Sequence, residues 1–308
     1  MNVKHGRVVV GVDGTENGLH AARYASLAAK AAEAELEVVH VVPLNLPVGP
    51  VRPVEPPMFE DLAQSIVRDA ASLARRTVPG LTVDTRLMEG PTVRALVAAG
   101  SEADLVVLGV QHEAMLSHVW TARVSAGVAA RVSCPTVVVP PEWEPGTERG
   151  RVVVGLKQPD GPVRLLIDAF AEAASRRADL HILHTWKVPW AYQVIIGTRA
   201  AEQIYCTHTR ETIETLLANL REAHPQVQVK IDVQCAQPAG ALVDASHDAD
   251  LVVLTRPTMR GGTPHMGSTA RAVMRWSATP VIVFPVSADN DSPDDAAPAL
   301  QRHGALQR

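Results

Sequence analysis

Cysteine is rare in this chain of 308 residues, and long apolar runs are missing. The three cysteines, Cys134, Cys206 and Cys235, lie far apart and form no CxxC motif, which excludes a disulfide framework and a structural zinc site. No apolar stretch reaches the ~20 residues of a membrane span, and the apolar run Val8 to Val10 is too short for a signal peptide. We therefore expect a soluble, cytoplasmic protein without a membrane partner.

Positive charge is not in excess either. The 29 Lys and Arg residues are outnumbered by 33 Asp and Glu residues, which gives a net charge of -4 and no general attraction to nucleic acid. The GxGxxG pattern of dinucleotide oxidoreductases is absent, because Gly11 and Gly14 stand three residues apart with no third glycine in register. With 46% hydrophobic and 20% charged residues, the chain has the composition and the length of two ordinary globular domains.

The chain repeats itself. RVVVGV at 7–12 returns as RVVVGL at 151–156, ADLVVL at 103–108 returns at 249–254, and CPTVVVP at 134–140 is echoed by ATPVIVFP at 278–285. Matches in the same order at nearly constant spacing indicate a duplicated domain, and the period is too long for a solenoid. We predict domains over 1–142 and 151–286, a linker over 143–150 and a disordered tail over 287–308, which is polar and lacks apolar periodicity.

Short β-branched runs alternate with helical patterns in each copy. The helical patterns predict a helix from Asn17 to Ala34 with Ala21, Ala25, Ala28 and Ala32 on its buried face, and one over 61–75 with Leu62, Ile66, Ala70 and Leu73 on one face. In the second copy Ile213, Leu216, Leu217 and Leu220 form the matching stripe. The predicted strands of the first copy are Val8–Val12, Leu36–Val42, Thr82–Met88, Leu105–Gly109 and Thr136–Val139. This alternation predicts an α/β fold with a doubly wound parallel sheet and ligands at the carboxyl ends of its strands.

Longer stretches of both copies carry a resemblance to a known family. They are VVVGVDGTENGLHAARYA, EVVHVV, EGPTVRALVAAGSEADLVVLG and RVSCPTVVVP in the first copy, and RVVVGLKQPDGPVRLLIDAFAEA, LHILHTW, QPAGALVDASHDADLVVL and ATPVIVFP in the second. Over residues 5–286 the chain resembles the universal stress protein family in its tandem two-domain form. The resemblance implies five-stranded sheets in the order 3-2-1-4-5, and pairing of the last strands of the two domains, with a homodimer as a further option. It would set Thr136–Val139 beside Val281–Phe284 and cover two sheet edges.

The resemblance also implies a nucleotide site with a Gly-x2-Gly-x9-Gly-Ser/Thr phosphate loop and an acidic residue after the first strand. Glycines let backbone N–H groups approach phosphates at a helix N-terminus. In the first copy Gly109 matches the first glycine, but His112 replaces the second and Ala122-Arg123 replaces the Gly-Ser pair. Asp13 stands at the acidic position, although it is also interpretable as a cap of the first helix. The candidate contacts in the first copy are Val12, Asp13, Val41, Gly109 and Ser125.

The second copy matches the phosphate-loop motif more closely than the first copy does, but it lacks the acidic residue after the first strand. Thr255 and Thr258 replace the first two glycines, Gly267-Ser268-Thr269 matches the Gly-Ser pair, and Lys157 stands in place of the acid. Lysine cannot accept a hydrogen bond from a sugar but can meet a phosphate. Ser268 or Thr269 is also interpretable as a helix N-cap. The candidate contacts in the second copy are Lys157, Thr255, Arg260, Gly261, Gly262, Gly267, Ser268 and Thr269.

The resemblance implies a stress-response or signalling protein that binds ATP or ADP without requiring it and without catalysis. Because each copy has lost part of the motif, we expect at most one nucleotide site, with the second copy favoured. Two alternatives remain, a scaffold that binds no nucleotide and a slow ATPase, although no nucleophile and base converge at a recognisable spacing. His181 and His184, three residues apart on a predicted strand, point to opposite faces and need no ligand role.

Overall fold

The structure is a computed structural model that describes residues 6–42, 56–110, 119–187, 199–256 and 265–285, without the side chains of 56–59 and 119–123. The tail predicted over 287–308 lies outside these residues. The helices are α1 Glu16–Ala31, α2 Pro56–Thr77, α3 Thr92–Ala99, α4 Val119–Ala129, α5 Val163–Arg176, α6 Arg199–Ala223, α7 Pro238–Ser246 and α8 Ser268–Trp276. Among the described residues no helix has both the length and the apolar character needed to cross a membrane.

The strands are short and mostly buried on both faces. Those of the first copy are β1 Arg7–Gly11, β2 Glu35–Val42, β3 Val83–Glu89, β4 Leu105–Gly109 and β5 Thr136–Val139. Those of the second are β6 Arg151–Leu156, β7 Asp179–Trp186, β8 Val229–Cys235, β9 Leu251–Thr255 and β10 Val281–Phe284. Runs of buried valine at the centre of β1 and β6 are expected of parallel strands that helices cover on both sides.

The strand order confirms the predicted fold class. The ten strands follow one another as β3-β2-β1-β4-β5-β10-β9-β6-β7-β8, so each copy contributes strands in the order 3-2-1-4-5. Within each copy the strands pair in parallel, as β1 does with β2 and with β4. The last strands pair antiparallel, with Ile282 opposite Val137, as the resemblance implied. This pairing satisfies the backbone groups of two edges that would otherwise be open.

Backbone proximity divides the chain into two compact units. The first consists of the first copy together with α8 and β10, and the second consists of β6 to β9 with α5, α6 and α7. The antiparallel β5–β10 pair therefore lies inside the first unit. Trp143, in the predicted linker, also belongs to this unit and packs edge-on against Tyr24 of α1, with ring centroids 5.1 Å apart.

Two helix faces differ from the predictions. The predicted Ala21 and Ala25 are buried in α1 together with Ala22, Ala29 and the larger Tyr24, whereas the predicted Ala28 and Ala32 are not. The helix ends at Ala31, and Glu33 beyond it takes a left-handed conformation, with φ of 51°. In α2, Ala70 of the predicted stripe is buried, but Leu62 is 58% exposed, which contradicts the prediction for that residue. The buried row of this helix is Ala63, Val67, Ala70, Ala71 and Ala74. Small side chains let a helix approach a sheet closely, so they displaced the larger Leu62 from the interface. In α6 the predicted Ile213, Leu217 and Leu220 are buried.

Candidate functional site

A cavity of about 300 Å³ lies in the first copy at the carboxyl ends of β1, β2 and β4. Because β1 lies between β2 and β4, the chain changes direction across the sheet at this point, and doubly wound sheets bind ligands there. Its volume is within the range of small-molecule sites. The cavity is lined by Gly11, Val12, Asp13, Asn17, Gly18, Val39, His40, Val41, Thr92, Leu96, Leu108, Gly109, Val124 and Ser125.

The structure brings all the predicted residues of the first copy together in this cavity. Val12 and Val41 are 6% and 7% exposed and form part of an apolar floor with Leu96 and Leu108. Ser125 on α4 is buried, and its hydroxyl donates a hydrogen bond to the carbonyl of Gly109 over 3.2 Å. An apolar floor with a few polar groups at its rim suits a flat ring that carries polar substituents.

Asp13 lies at the rim of the cavity and does not cap the helix. Its Oδ1 accepts hydrogen bonds from the backbone N–H of Thr15 at 3.1 Å and from the Thr15 hydroxyl at 2.6 Å. Thr15 is the N-cap of α1, since its Oγ1 accepts from the backbone N–H of Gly18. The interpretation of Asp13 as the cap was therefore wrong, because Thr15 is two residues closer to the first helical turn. Within the described part of the chain, no group donates to Asp13 Oδ2, which leaves that oxygen available to a ligand.

Gly109 is required by packing. A Cβ at this position would lie 2.5 Å from the backbone oxygen of Asn17, far inside van der Waals contact. The glycine therefore allows the end of β4 to approach the first turn of α1, whether or not a phosphate binds beside it. His112 lies outside the described residues, and so do the side chains of Ala122 and Arg123.

His40 is a cavity residue that the sequence analysis did not include in the site. Its Nδ1 lies 2.7 Å from the carbonyl oxygen of Val12, and since a carbonyl only accepts, Nδ1 carries the proton. The hydrogen bond holds the ring at the junction of β1 and β2. The signal that could have identified it is the repeat, because His184 occupies the matching position of the second copy.

The same position of the second copy has different neighbours. His184 Nδ1 lies 3.0 Å from the carbonyl oxygen of Leu156, which repeats the bond of His40, but His184 is only 2% exposed. The Tyr205 hydroxyl of α6 lies 3.4 Å from its Nε2, and the Tyr205 ring packs against Trp186, with centroids 4.5 Å apart. Side chains of the second copy therefore occupy the space beside this histidine.

The remaining predicted residues of the second copy belong to several elements of the chain. Lys157 follows β6 and is exposed, and Thr255 ends β9, both in the second unit. Gly267, Ser268 and Thr269 begin α8, which belongs to the first unit. Arg260, Gly261 and Gly262 lie outside the described residues, as does Thr258. The site that the sequence predicted for this copy therefore stays a prediction.

The start of α8 differs from the predicted cap. The carbonyl of Gly267 accepts from the backbone N–H of Arg271 over 3.0 Å, which places Gly267, and neither Ser268 nor Thr269, at the N-cap position. A Cβ on Gly267 would meet nothing within 4 Å, so packing does not demand a glycine there, in contrast to Gly109.

Comparisons with known proteins agree with the fold and the repeat. The molecule is a duplicated, doubly wound parallel α/β protein with a cavity at the switch point of its first sheet half. The sequence matches the Universal stress protein family over residues 4–140 and again over 148–285, so the chain belongs to this family, in tandem form.

Individual relatives extend over nearly the whole chain. The Universal stress protein Rv2005c of Mycobacterium tuberculosis is 32% identical over 294 residues, which cover 91% of this chain and 97% of that protein. The crystal structure of a universal stress protein from Archaeoglobus fulgidus aligns with a TM-score of 0.64 at 17% identity, covering 92% of this chain and 97% of the other, and it supports the fold alone. A universal stress protein solved in complex with cAMP is 27% identical over 44% of this chain and 97% of its own, with a TM-score of 0.36.

Proposed function

We propose that the first copy binds an adenine nucleotide, ATP or ADP, in the cavity between β1, β2 and β4, and that the protein acts in stress response or signalling through this binding. The observation that carries the proposal is the cavity itself, in which Val12, Asp13, Val41, Gly109 and Ser125 come together. Membership of the universal stress protein family supports it.

The chemistry of the cavity suits the parts of a nucleotide. Its floor at Val12, Val41 and Leu96 offers apolar surface to the base. Asp13 Oδ2 can accept a hydrogen bond from a ribose hydroxyl. An aromatic C–H group or an ionised phosphate has no hydroxyl to donate to it. The N-terminal turn of α1, at Asn17 and Gly18, borders the same space, and helix N-termini attract negative charge.

The choice of the first copy differs from the preference that the sequence suggested. The second copy retains Gly267-Ser268, but Tyr205 and Trp186 occupy the space beside His184, where the first copy has its cavity at His40. Nucleotide binding in the second copy remains a prediction from sequence.

We also propose that the protein binds nucleotide without turning it over at an appreciable rate. The Ser125 hydroxyl donates to a backbone carbonyl, which cannot serve as a general base. Burial raises the pKa of the Cys134 thiol to about 11, so this cysteine is not a nucleophile near neutral pH. Release of phosphate from ATP that exceeds the uncatalysed control and is lost in Val41→Phe would instead establish the slow ATPase.

Paired variants test which copy binds. Val41 and Thr185 occupy matching positions, one residue after His40 and His184. Val41→Phe fills the floor of the cavity, and we expect it to weaken ATP binding by about 100-fold or more, because overpacking a site excludes its ligand. Thr185→Phe is the matched control and should leave binding unchanged, as measured by isothermal titration calorimetry and by the thermal shift with millimolar ATP.

Two other results of the binding measurements would overturn the proposal. Loss of binding in Thr185→Phe with retention in Val41→Phe would place the nucleotide in the second copy and overturn the proposal. If neither ATP nor ADP binds the wild-type chain, the scaffold alternative holds.

A further inference from the structure

A second cavity, of about 360 Å³, lies in the second copy on the face of the sheet opposite to Tyr205. One wall is formed by strands β6, β7 and β8 and the other by helix α7 and the residues that follow it. The polar groups that line it are Arg151, His181, Lys230, Gln234, Asp244 and Asp248. All of them belong to the second unit, and the cavity is separate from the proposed nucleotide site.

The matching region of the first copy shows how this wall is normally neutralised. Glu37 of β2 lies 3.9 Å from Arg7 and 3.7 Å from Arg86, and Arg7 also lies 4.0 Å from Glu102. One buried carboxylate between two arginines therefore holds the first copy's wall together. Ion pairs of this kind balance the charge of the wall without any ligand.

The second copy has changed the residues that would close this network. By strand register, His181 stands in place of Glu37, and Lys230 opposite it stands in place of Asp84. Arg151, which corresponds to Arg7, has thereby lost the carboxylate that Arg7 has beside it. No ion pair within 4 Å joins Arg151 or Lys230 to an acid in the described part of the chain.

The imidazole of His181 is a buried polar group that faces this cavity without a hydrogen-bond partner. His181 is 8% exposed, and its Nε2 makes no hydrogen bond. The nearest acid, Asp232, has its Oδ2 at 3.6 Å, which is too long for a hydrogen bond, and that oxygen already accepts from the Gln234 amide at 2.8 Å. Burial lowers the pKa of His181, and the positive charge of Lys230 lowers it further, so the ring is neutral near neutral pH.

The helix side of the cavity carries the opposite charge. Asp244 and Asp248 lie four residues apart at and just beyond the end of α7, and both are exposed. In the first copy the position of Asp244 is Ala98. The cavity thus has two cations and an imidazole on its strand wall, with the Asp232 carboxylate beside the imidazole, and two carboxylates on its helix wall. Within the described residues no cluster of His, Cys, Asp or Glu could hold a metal ion, which points to an organic ligand.

We propose that this cavity binds a small zwitterion, an amino acid or an ω-amino acid. The carboxylate of the ligand lies against Arg151 and Lys230, and its ammonium group lies against Asp244 and Asp248. A ligand with both charges satisfies both walls, whereas a simple anion would meet the two aspartates and a simple cation would meet Arg151 and Lys230. The site is independent of the nucleotide site proposed above.

The test uses the full chain and a series of ligands that differ in the distance between their charges. Glycine, 4-aminobutyrate and 6-aminohexanoate are titrated by isothermal titration calorimetry and protein-observed NMR, beside acetate, methylammonium and inorganic phosphate. We expect at least one zwitterion to saturate, with acetate and methylammonium each binding about 10-fold more weakly, because each keeps only one of the charge-assisted contacts.

Variants assign the binding to this cavity. Lys230→Met and Asp244→Asn alter exposed side chains and should each weaken the zwitterion by about 10-fold. Arg210→Met and Glu211→Gln, exposed on α6, are the matched controls and should change nothing. In all four variants ATP binding should be retained, which separates this test from that of the nucleotide site.

Three results would overturn the proposal. They are no saturation by any zwitterion up to about 50 mM, equally tight binding of acetate or phosphate, and binding that Lys230→Met and Asp244→Asn leave unchanged. The second result would show a simple anion site, and the third would place the ligand elsewhere.

Discussion

His40 and His184 make the same hydrogen bond in the two copies, to the carbonyl of the last residue before each first loop, yet their surroundings differ. His40 lines an open cavity, whereas His184 is enclosed by Tyr205 and Trp186. On the other sheet face the difference is reversed, because Glu37 is paired with two arginines and His181 faces a cavity without a hydrogen bond. Duplication therefore preserved the backbone frame. Both cavities lie beside the matching helices α3 and α7, but the first copy has its cavity at the carboxyl ends of β1, β2 and β4, whereas the cavity of the second copy is lined by Arg151 at the start of β6.

The comparison of the two copies shows which residues the shared backbone structure requires and which can differ between the copies. Arg7 and Arg151 begin the first strand of each copy, and their backbone N–H groups donate to Asp104 and Asp250. These bonds tie β1 to the start of β4 and β6 to the start of β9, and they are the same in both copies. Side chains that only line a cavity have no such role, so they could diverge at little cost to stability.

The largest expected effect comes from exchanging the residues that end β4 and β9. Gly109→Thr should lower the free energy of unfolding by about 3 kcal/mol, because any Cβ there collides with the Asn17 backbone. The reverse change in the second copy, Thr255→Gly, should cost about 1 kcal/mol through backbone entropy and loss of the hydrogen bond that the Thr255 hydroxyl donates to the Arg256 carbonyl. Thermal and urea unfolding of both variants measure the difference. Equal losses would show that Gly109 has no special packing role.

A smaller effect is expected from converting the ion pairs of the first copy to those of the second. Glu37→His leaves Arg86 without the acid beside it and Arg7 with Glu102 at 4.0 Å, and it should cost about 1 kcal/mol, since both arginines are partly exposed. Adding Arg86→Asp places an acid where the second copy has Asp232 and removes the repulsion between the two arginines, so it should recover at least half of the loss. A double-mutant cycle by urea unfolding measures the coupling.

The control for this cycle is Glu37→His combined with Arg210→Asp, in which the second change lies on exposed α6. If the changes in unfolding free energy were strictly additive in both cycles, Glu37 and Arg86 would not be coupled. The different residues at these positions of the two copies would then have no electrostatic explanation.

The smallest expected effect is a pH dependence confined to the second copy. The folded-state pKa of His181 is lowered from 6.5, chiefly by burial, so the unfolded chain binds this proton more readily. The stability contributed by the neutral ring is complete above about pH 6.5 and is lost as the pH falls below it. His181→Gln should therefore flatten the decline in unfolding temperature between about pH 6.5 and 5, whereas His208→Gln, exposed on α6, should not. A decline of the same slope in His181→Gln would contradict this assignment.

Most of the fold could be predicted from the sequence because it rests on repeated, strongly patterned segments. The valine runs predicted β1 and β6 as buried strands. The resemblance implied the strand order and the pairing of β5 with β10, and both are confirmed. The helix faces were less predictable. Apolar periodicity favoured Leu62, but packing selected the smaller Ala63 and Val67, a choice that depends on the distance between helix and sheet.

Individual residues of the candidate site could be predicted only in the first copy, where the residues of the family motif also line the cavity. Val12, Asp13, Val41, Gly109 and Ser125 meet in one cavity, but the reason for Gly109 lies in Asn17, which sequence spacing could not reveal. The enclosure of His184 by Tyr205 joins residues 21 positions apart and depends on tertiary contact. Arg260, Gly261 and Gly262 lie outside the described residues, so their part in a site stays a prediction.

The most direct test of the divergence of the two copies is the stoichiometry of ATP binding to the full chain, measured by isothermal titration calorimetry. We predict one ATP per chain, with that single site abolished by Val41→Phe and unaffected by Thr185→Phe. Two equivalent sites per chain, or one site that survives Val41→Phe and is lost in Thr185→Phe, would contradict the account.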